Sequence, residues 1–528
     1  MNIILRKLQV ICKLLLIAMV LLVPANHTRA ENKSPLTSGK LQEESVISST
    51  ATIQGVPFGL NNPFASSQEK TSDYVKNLGV TWISDHFPRR EIEKEKRGII
   101  TYDFSEVDEK LKEYGTESNS QAWFIINIES KYRFGDGKEI GNAKKAKGKF
   151  VPAGPNSYKA YEEFLIALVT HVNRWVPGWR VKLWSIDNEE SGLYLPAFCG
   201  DGAMNNKCVT QAAEAYAEIV TRSNKIIKPV DAKAKIVFGG PGGGTPDEEY
   251  IFYDKALRIL RSRRSDGYFD FFDYHNFNVF QEYKTNPRGK DIDFFKKMLE
   301  GAGFSQKPII IKAGATHSGV DHIAKNKRLH APQTEREQAE YLFKRFLYHV
   351  GNGVKLILWG DVREDEELHG TYSHNGLMYN GIPAAKTCDP TQETPCPDPG
   401  DGIRKLSYYT FQFMMEKLKN SEWQKPETLP TGEKNIYLYK LPQIGSISPI
   451  FVAWFDYWMD SVQGKRVTLS VETDGQYVIT EAIPSSESGA KVEAGQYRSF
   501  FKTSVVSSQD GKIIIALGKI PIFIERSR

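Results

Sequence analysis

Apolar and polar positions alternate in blocks between residues 56 and 418. Short apolar runs rich in Ile, Val and aromatic residues are each followed by a stretch with apolar residues at helical spacing. Uninterrupted apolar runs are typical of parallel strands buried on both faces. The runs predict eight strands, at residues 56–60, 80–83, 122–126, 181–186, 235–238, 269–274, 308–311 and 355–359.

The stretches between the runs predict helices. Tyr158, Leu165 and Val172 recur at helical spacing, and the sequence Pro332-Gln333-Thr334-Glu335 is typical of a capped helix start. Eight strand–helix repeats predict a (β/α)₈ barrel over residues 51–420. The alternative is a doubly wound open sheet, which favours a glycine-rich phosphate loop after its first strand. The glycine run here, residues 239–244, follows the fifth strand and is interpreted as a turn.

The period of the pattern changes to two from residue 435 onward. Runs at 436–439, 449–454, 467–471, 476–479, 512–517 and 521–524 are separated by Gly and Asp turns. This pattern predicts an antiparallel β-sandwich over residues 435–528. The connector after the last barrel helix is short and poor in Gly and Ser, so the sandwich is expected to pack on the barrel.

The first 30 residues have the pattern of a signal peptide. Arg6, Lys7 and Lys13 precede or border an apolar stretch at 14–23, and Thr28-Arg29-Ala30 offers a cleavage site. An uncleaved anchor is the alternative, although the apolar stretch is short for a bilayer. The expectation is export to the periplasm or the extracellular space, with a polar N-terminal segment at 31–50 and no transmembrane segment in the mature chain.

Charge and cysteine content fit this expectation. The chain has 69 basic and 64 acidic residues, and losing the four basic residues of the signal segment leaves a nearly neutral protein. Without a basic run, no nucleic-acid partner is predicted.

Two local cysteine pairs, Cys199 with Cys208 and Cys388 with Cys396, predict disulfides in loops. Metal binding is the alternative, but no His interleaves with either pair, so no metal and no cofactor is predicted.

The residues after the fourth strand, Asp187-Asn188-Glu189, stand where a barrel enzyme carries its chemistry. They resemble the corresponding segment of the (β/α)₈-barrel retaining glycoside hydrolases, closest to the xylosidase- and iduronidase-like families. The resemblance implies that Glu189 is the general acid/base and that Asn188 binds a sugar hydroxyl. Glycoside cleavage needs such a proton donor together with a second carboxylate on the other face of the sugar. A polar turn after a strand is the alternative interpretation.

Two positions depart from the family pattern. The resemblance places a Glu nucleophile at the end of strand seven, where this chain has Lys312, and shifting the alignment by one offers only Ile311 or Ala313. His275 after strand six matches the family, although a structural histidine is the alternative; the usual Tyr two residues later is Phe277. An ammonium group cannot act as the nucleophilic carboxylate. Lys312 is expected to form an ion pair with Glu189 and to hold that carboxyl ionised.

Other residues are expected at the mouth of the barrel. Asn127, His275, Trp359 and Asp361 are predicted to bind substrate, with barrel packing as the alternative role for Trp359 and Trp184. The sequence therefore predicts a glycoside hydrolase-like protein that acts on or binds an oligosaccharide or polysaccharide. The alternatives are an inactive carbohydrate-binding barrel, an inverting hydrolase with Asp361, Asp85 or Glu129 as base, and a Schiff-base enzyme using Lys312.

Overall fold

The computed structural model describes most of the chain from residue 55 onward. The described residues are 55–62, 71–96, 99–113, 123–133, 150–151, 153, 157–175, 182–200, 204–242, 245–319, 332–364, 374–381, 398–446, 448–457, 464–471 and 473–527. The predicted signal peptide, the polar segment 31–50 and the pair Cys388 and Cys396 lie outside these residues. No helix in the described ranges is long and apolar enough to cross a bilayer.

Eight parallel strands form a closed barrel, which confirms the predicted fold. The strands are β1 Phe58–Asn61, β2 Trp82–Pro88, β3 Trp123–Glu129, β4 Lys182–Ile186, β5 Lys235–Phe238, β6 Phe271–Asp273, β7 Ile309–Ile310 and β8 Ile357–Trp359. Neighbouring strands pair in chain order, and β8 pairs with β1. A parallel bridge between Ile311 and Ile357 joins β7 to β8 and closes the ring. This closure excludes the doubly wound alternative.

Helices cover the outside of the barrel. They are α1 Thr71–Leu78, α2 Arg89–Ile92, α3 Ser105–Lys112, α4 Tyr158–Trp175, α5 Ser191–Cys199, α6 Asn206–Val230, α7 Tyr250–Arg263, α8 Ile292–Gly301, α9 Glu335–Gly351 and α10 Leu406–Leu418. Helix α9 starts at the predicted cap: the Thr334 side chain accepts from the Glu337 backbone N–H, and Glu337 accepts from Thr334. A disulfide joins Cys199, at the end of α5, to Cys208 in α6, which confirms the first predicted pair.

Side chains inside the barrel lie in layers because alternate strand residues point inward. One buried apolar cluster inside the barrel contains Trp82, Ile125, Leu183, Val237, Phe271, Ile310, Leu356 and Leu358. Five of these residues, Trp82, Ile125, Leu183, Phe271 and Ile310, are each followed two positions later by a polar residue: Ser84, Asn127, Ser185, Asp273 and Lys312, each at most 1% exposed. The polar layer therefore forms the floor beneath the mouth of the barrel.

The C-terminal strands form two antiparallel sheets. They are β9 Glu427–Thr428, β10 Ile436–Leu441, β11 Ile450–Phe455, β12 Lys465–Ser470, β13 Gln476–Glu481, β14 Thr503–Ser507, β15 Lys512–Leu517 and β16 Ile522–Arg526. One sheet has the order β9-β10-β11-β16-β13-β14, and the other pairs β12 with β15. A separate apolar cluster, with Phe451 and Ile524 from the first sheet and Leu469 and Ile515 from the second, lies between them.

The β domain packs on the barrel through both apolar and polar contacts. Phe413 of α10 stacks on Phe501 with ring centroids 3.9 Å apart. The buried Asp456 carboxylate accepts a hydrogen bond from the Tyr283 hydroxyl at 2.8 Å and lies 3.4 Å from the Lys344 ammonium. A buried carboxylate with such partners on the other unit fixes one arrangement of the two. These contacts agree with the expectation, drawn from the short connector after the last barrel helix, that the β domain packs on the barrel.

Candidate functional site

A cavity of about 320 Å³ opens at the carboxyl ends of the barrel strands. This is the end at which barrel enzymes carry their active residues. The residues that line the cavity lie near or after the carboxyl ends of β1, β2, β4, β6, β7 and β8. They are Asn61, Asn62, His86, Asn188, Glu189, His275, Phe277, Ala313, Gly360, Asp361 and Arg363. The cavity, called the cleft below, therefore collects side chains from most of the barrel.

Glu189 reaches the cleft from a strained turn after β4. Asp187 and Glu189 have φ angles of 58° and 51°, a region that residues other than glycine rarely adopt. The buried Asp187 carboxylate fixes this turn: it accepts from the Ser130 backbone N–H at 2.6 Å, the Ser130 hydroxyl at 2.7 Å and the Tyr194 hydroxyl at 2.9 Å. The turn leaves the Glu189 side chain 47% exposed in the cleft.

His275 lies between two carboxylates. Its Nδ1 is 2.8 Å from Oε1 of Glu189, and its Nε2 is 3.3 Å from Oδ2 of Asp273. The imidazole ring is buried, and so is Asp273. Burial alone would lower the pKa of His275, but the hydrogen bonds and negative charges of Asp273 and Glu189 raise it to about 9. At neutral pH His275 is therefore an imidazolium ion.

The contact between His275 and Glu189 also determines the charge of Glu189. Loss of solvent in the cleft raises its pKa, but the hydrogen bond from His275 and the positive charges of His275 and Lys312 lower it below the usual value. Glu189 is therefore a carboxylate at neutral pH. In this state it accepts hydrogen bonds and has no proton to donate to a leaving group.

Lys312 does not form the expected ion pair with Glu189. Among the described residues its Nζ donates to Oδ1 of Asn127 at 2.9 Å and to the Ser185 hydroxyl at 2.8 Å, and its ion-pair partner is Asp273 at 3.7 Å. The physical reason is alternation: Lys312 lies two residues after Ile310, so it points into the barrel interior like Ile310. Its charge acts on Glu189 from the floor of the cleft. Asn127, Ser185 and Asp273 hold the Lys312 ammonium group in the floor of the barrel. This position disfavours the Schiff-base alternative, in which Lys312 would attack a carbonyl group in the cleft.

The residue of strand seven that does line the cleft is Ala313. The cleft wall therefore carries a methyl group, not a carboxylate, at this position. Phe277 lines the same cavity. Among the described residues, no Asp or Glu that ends or follows β6 or β7 lines the cleft.

The other predicted residues divide into two groups. Asn188 and Asp361 line the cleft, as expected. Trp359 and Asn127 do not, which corrects their prediction as substrate-binding residues. Trp359 is fully buried and donates from Nε1 to the Asn375 carbonyl at 3.0 Å. Asn127 is also fully buried and donates to the Ser84 hydroxyl at 2.7 Å within the polar floor.

Of the three carboxylates considered as a base, only Asp361 lines the cleft. Glu129 is surrounded by Arg90 at 2.8 Å, Lys131 at 2.9 Å and His86 at 3.3 Å. Although burial raises the pKa of Glu129, the hydrogen bonds from His86 and Lys131 and the positive charge of Lys131 lower it to about 2. Asp85 is paired with Lys110 at 3.1 Å. Both residues belong to an ion-pair cluster beside the cleft.

Sequence reasoning missed Glu190, which is fully buried directly after Glu189. Neither of its carboxyl oxygens has a hydrogen-bond partner within the described part of the chain. Burial raises its pKa well above the usual value, against the opposing charge of Lys312. Two glycines of the run after β5 make room for this turn: a Cβ at Gly239 would collide with Oε1 of Glu190, and one at Gly242 would lie 2.6 Å from Cδ of Glu189. In the sequence, the glycine run after β5 was the feature that could have indicated this closely packed turn.

Replacing Glu190 should raise the melting temperature at alkaline pH. The unfolded chain ionises Glu190 above about pH 4.5, whereas the folded protein keeps the proton, so stability falls as pH rises above that value. Glu190→Gln removes this loss because its side chain is neutral at every pH. Thermal melts at pH 4 and pH 8 should show a gain for the variant at pH 8 that is absent or much smaller at pH 4. An equal destabilisation at both values would contradict the assignment of a neutral Glu190.

Comparison with solved structures supports the same architecture. A glucosidase from Croceicoccus marinus superposes with a TM-score of 0.53 over 89% of this chain and 95% of its own, at 11% identity. CelM2, a bifunctional glucanase-xylanase from a metagenome library, superposes with a TM-score of 0.50 over 89% and 96%, at 10% identity. The chain has a glycoside hydrolase-like barrel fold. At these identities the likeness concerns the fold alone. No protein-family model and no curated protein sequence matches the chain.

Proposed function

We propose that the protein is an exported carbohydrate-binding protein with a glycoside hydrolase-like barrel, whose cleft binds a sugar unit without retaining hydrolysis. The observation that carries this proposal is that Glu189 and Ala313 line the same cavity, with an alanine and no carboxylate at the position after β7. A retaining hydrolase needs two carboxyl groups about 5–5.5 Å apart on opposite faces of the sugar. Here the wall from strand seven carries a methyl group.

The ionised state of Glu189 supports binding over proton transfer. A general acid must keep its proton near neutral pH, which requires a raised pKa. His275 has the opposite effect on Glu189. The Glu189 carboxylate, Asn61 and Asn62 at the end of β1, Asn188 and Asp361 instead provide hydrogen-bonding groups that can orient sugar hydroxyls. The signal peptide that the sequence predicts in residues 1–30 favours an extracellular or periplasmic glycan as the ligand.

Binding and turnover should be measured on the same protein. Calorimetric titration with a panel of oligosaccharides should find a ligand, and Glu189→Gln should weaken its binding by about tenfold or more, since a charged acceptor is lost. Glu300→Gln, at an exposed position in α8, is the matched control and should bind as the wild type does. Turnover of aryl glycosides with net retention, through a sugar trapped covalently on the protein, would refute the proposal.

An inverting hydrolase is the second candidate. Asp361 lines the same cavity as Glu189 and could activate a water molecule. Glu189 would act as the acid only if bound substrate displaced its contact with His275 and raised its pKa, since in the free protein that contact keeps Glu189 ionised. This route needs no nucleophile on strand seven. NMR analysis of the first-formed anomer separates the two candidates: an inverted product that disappears in Asp361→Asn would establish hydrolysis, whereas binding without product supports the first proposal.

A further inference from the structure

Arg345, on the face of α9 that packs against the barrel, is a fully buried cation. Its Nη1 donates to the Gly314 carbonyl at 3.0 Å and to the Leu358 carbonyl at 3.4 Å. Its Nε and Nη2 have no hydrogen-bond partner among the described residues, and no Asp or Glu of those residues forms an ion pair with it. These two nitrogens form the edge of a guanidinium group that binds anions through parallel hydrogen bonds. The edge of Arg345 that is best suited to an anion therefore has no partner in the described part of the protein.

The charge of Arg345 cannot be removed by loss of its proton. Burial lowers its pKa, but a guanidinium group stays protonated in proteins. Other buried groups become neutral instead: burial raises the pKa of Glu190 well above its usual value, and burial together with the charge of Arg345 lowers the pKa of His349 to about 3. The neighbouring Tyr274 and Tyr341 are also neutral, because burial raises the pKa of each hydroxyl. A buried cation of this kind needs an opposite charge.

Tyr341 provides a further donor beside this edge. It lies four residues before Arg345 in α9, so the two side chains are neighbours on one face of the helix. The Tyr341 side chain is fully buried, and its hydroxyl forms no hydrogen bond of ordinary geometry within the described ranges. The Asn278 backbone N–H interacts with the hydroxyl oxygen, which leaves the hydroxyl proton to be donated. Buried donors without a protein partner are served by an ordered water molecule or an ion, and the positive charge of Arg345 favours an anion.

Arg345 connects this region to the cleft. The Gly314 carbonyl accepts from Arg345 and also from the Gly360 backbone N–H, the latter at 3.1 Å. A Cβ at Gly314 would lie 2.0 Å from Nη2 of Arg345 and 2.2 Å from the Asn276 carbonyl oxygen, so the guanidinium group packs directly on the backbone after β7. Ala313, which precedes Gly314, and Gly360 both line the cleft. Neutralisation of Arg345 therefore stabilises two strand ends that carry cleft residues.

We infer that Arg345 and Tyr341 bind a small monovalent anion, such as chloride, between α9 and the ends of β7 and β8. The anion accepts hydrogen bonds from Nε and Nη2 of Arg345 and from the Tyr341 hydroxyl. A monovalent ion is favoured because a divalent anion loses more hydration free energy on entering a buried site. The site differs from the cleft, and the inference does not depend on whether the cleft binds a sugar.

Thermal melts in matched salts test the inference. Replacing sodium gluconate by sodium chloride at constant ionic strength should raise the melting temperature by about 2 °C or more, since an ion that binds only the folded state stabilises it. Arg345→Met removes the charge and should abolish this shift, whereas Tyr341→Phe removes one donor and should reduce it. Arg258→Met, at an exposed ion pair with Asp254 on α7, is the matched control and should keep the full shift.

Crystals of the wild-type protein grown in sodium bromide locate the ion directly, because bromide gives an anomalous signal, and they need no variant to fold. The expected result is an anomalous peak at hydrogen-bonding distance from the Arg345 guanidinium group and the Tyr341 hydroxyl. A map without a bromide peak beside Arg345 would overturn the inference and assign these donors to water. Equal melting temperatures in chloride and gluconate, or a chloride shift that Arg345→Met and Tyr341→Phe both retain in full, would overturn it as well.

Discussion

Between pH 6.5 and about pH 9 the free energy of unfolding of this protein should fall by on the order of 3 kcal/mol through His275 alone. In the folded protein His275 keeps its proton up to about pH 9 because it lies between Asp273 and Glu189. In the unfolded chain it loses the proton near pH 6.5. The stabilisation is therefore complete below pH 6.5 and disappears as the pH rises through the pKa of the folded state. Chemical denaturation at several pH values measures the change.

The variant His275→Gln isolates this contribution. It removes the titrating group, so the difference in stability between wild type and variant should shrink as pH rises from 6.5 to 9. His171, which lies 2.5 Å from Asp108 on the outside of the barrel, provides a comparison. His171→Gln leaves the cleft unchanged and should retain the wild-type decrease. A wild-type stability that is flat or rising over this interval would show that His275 is neutral and that Glu189 is not held by an imidazolium ion.

The fold could be predicted from the sequence because the spacing of apolar residues indicates strands and helices even when their contacts are unknown. All eight predicted barrel strands are present, each within a few residues of its predicted position. Strands β9 and β14 were missed: Glu427–Thr428 has two residues, and Thr503–Ser507 lies at the sheet edge with mostly exposed side chains. Edge strands of this kind have too few buried residues to produce an apolar pattern.

The site was only partly predictable, because spacing along a strand does not fix which residue faces the cleft. Lys312 was predicted to reach Glu189, but it lies two residues after Ile310 of the apolar cluster and faces the barrel interior, whereas Ala313 lines the cleft. The positive φ angles of Asp187 and Glu189 were also invisible in the sequence. Such a turn depends on contacts distant in sequence, here those of Asp187 with Ser130.

Lys312→Met should destabilise the protein by about 3–5 kcal/mol, the usual cost of breaking a buried ion pair. The Lys312 side chain is 1% exposed, and its ammonium group has three partners in the polar floor. Its loss leaves the Asn127 and Ser185 side chains without this donor and leaves Asp273 with His275 as its remaining cation. Because the protein interior offers no water to replace these bonds, the cost is large. Chemical denaturation of both proteins at pH 7 measures the difference.

The neighbouring groups supply graded controls for this prediction. Lys296→Met removes a lysine 3.4 Å from Asp293 on the exposed face of α8, where pairs contribute about 0–1 kcal/mol. Asn127→Leu removes one acceptor of Lys312 and keeps the ion pair, so it should lie between the two at about 1–3 kcal/mol. If Lys312→Met is too unstable to purify, Asn127→Leu still tests the floor. A Lys312→Met protein as stable as Lys296→Met, or an Asn127→Leu protein as stable as wild type, would show that the Lys312 ammonium is not held inside the barrel.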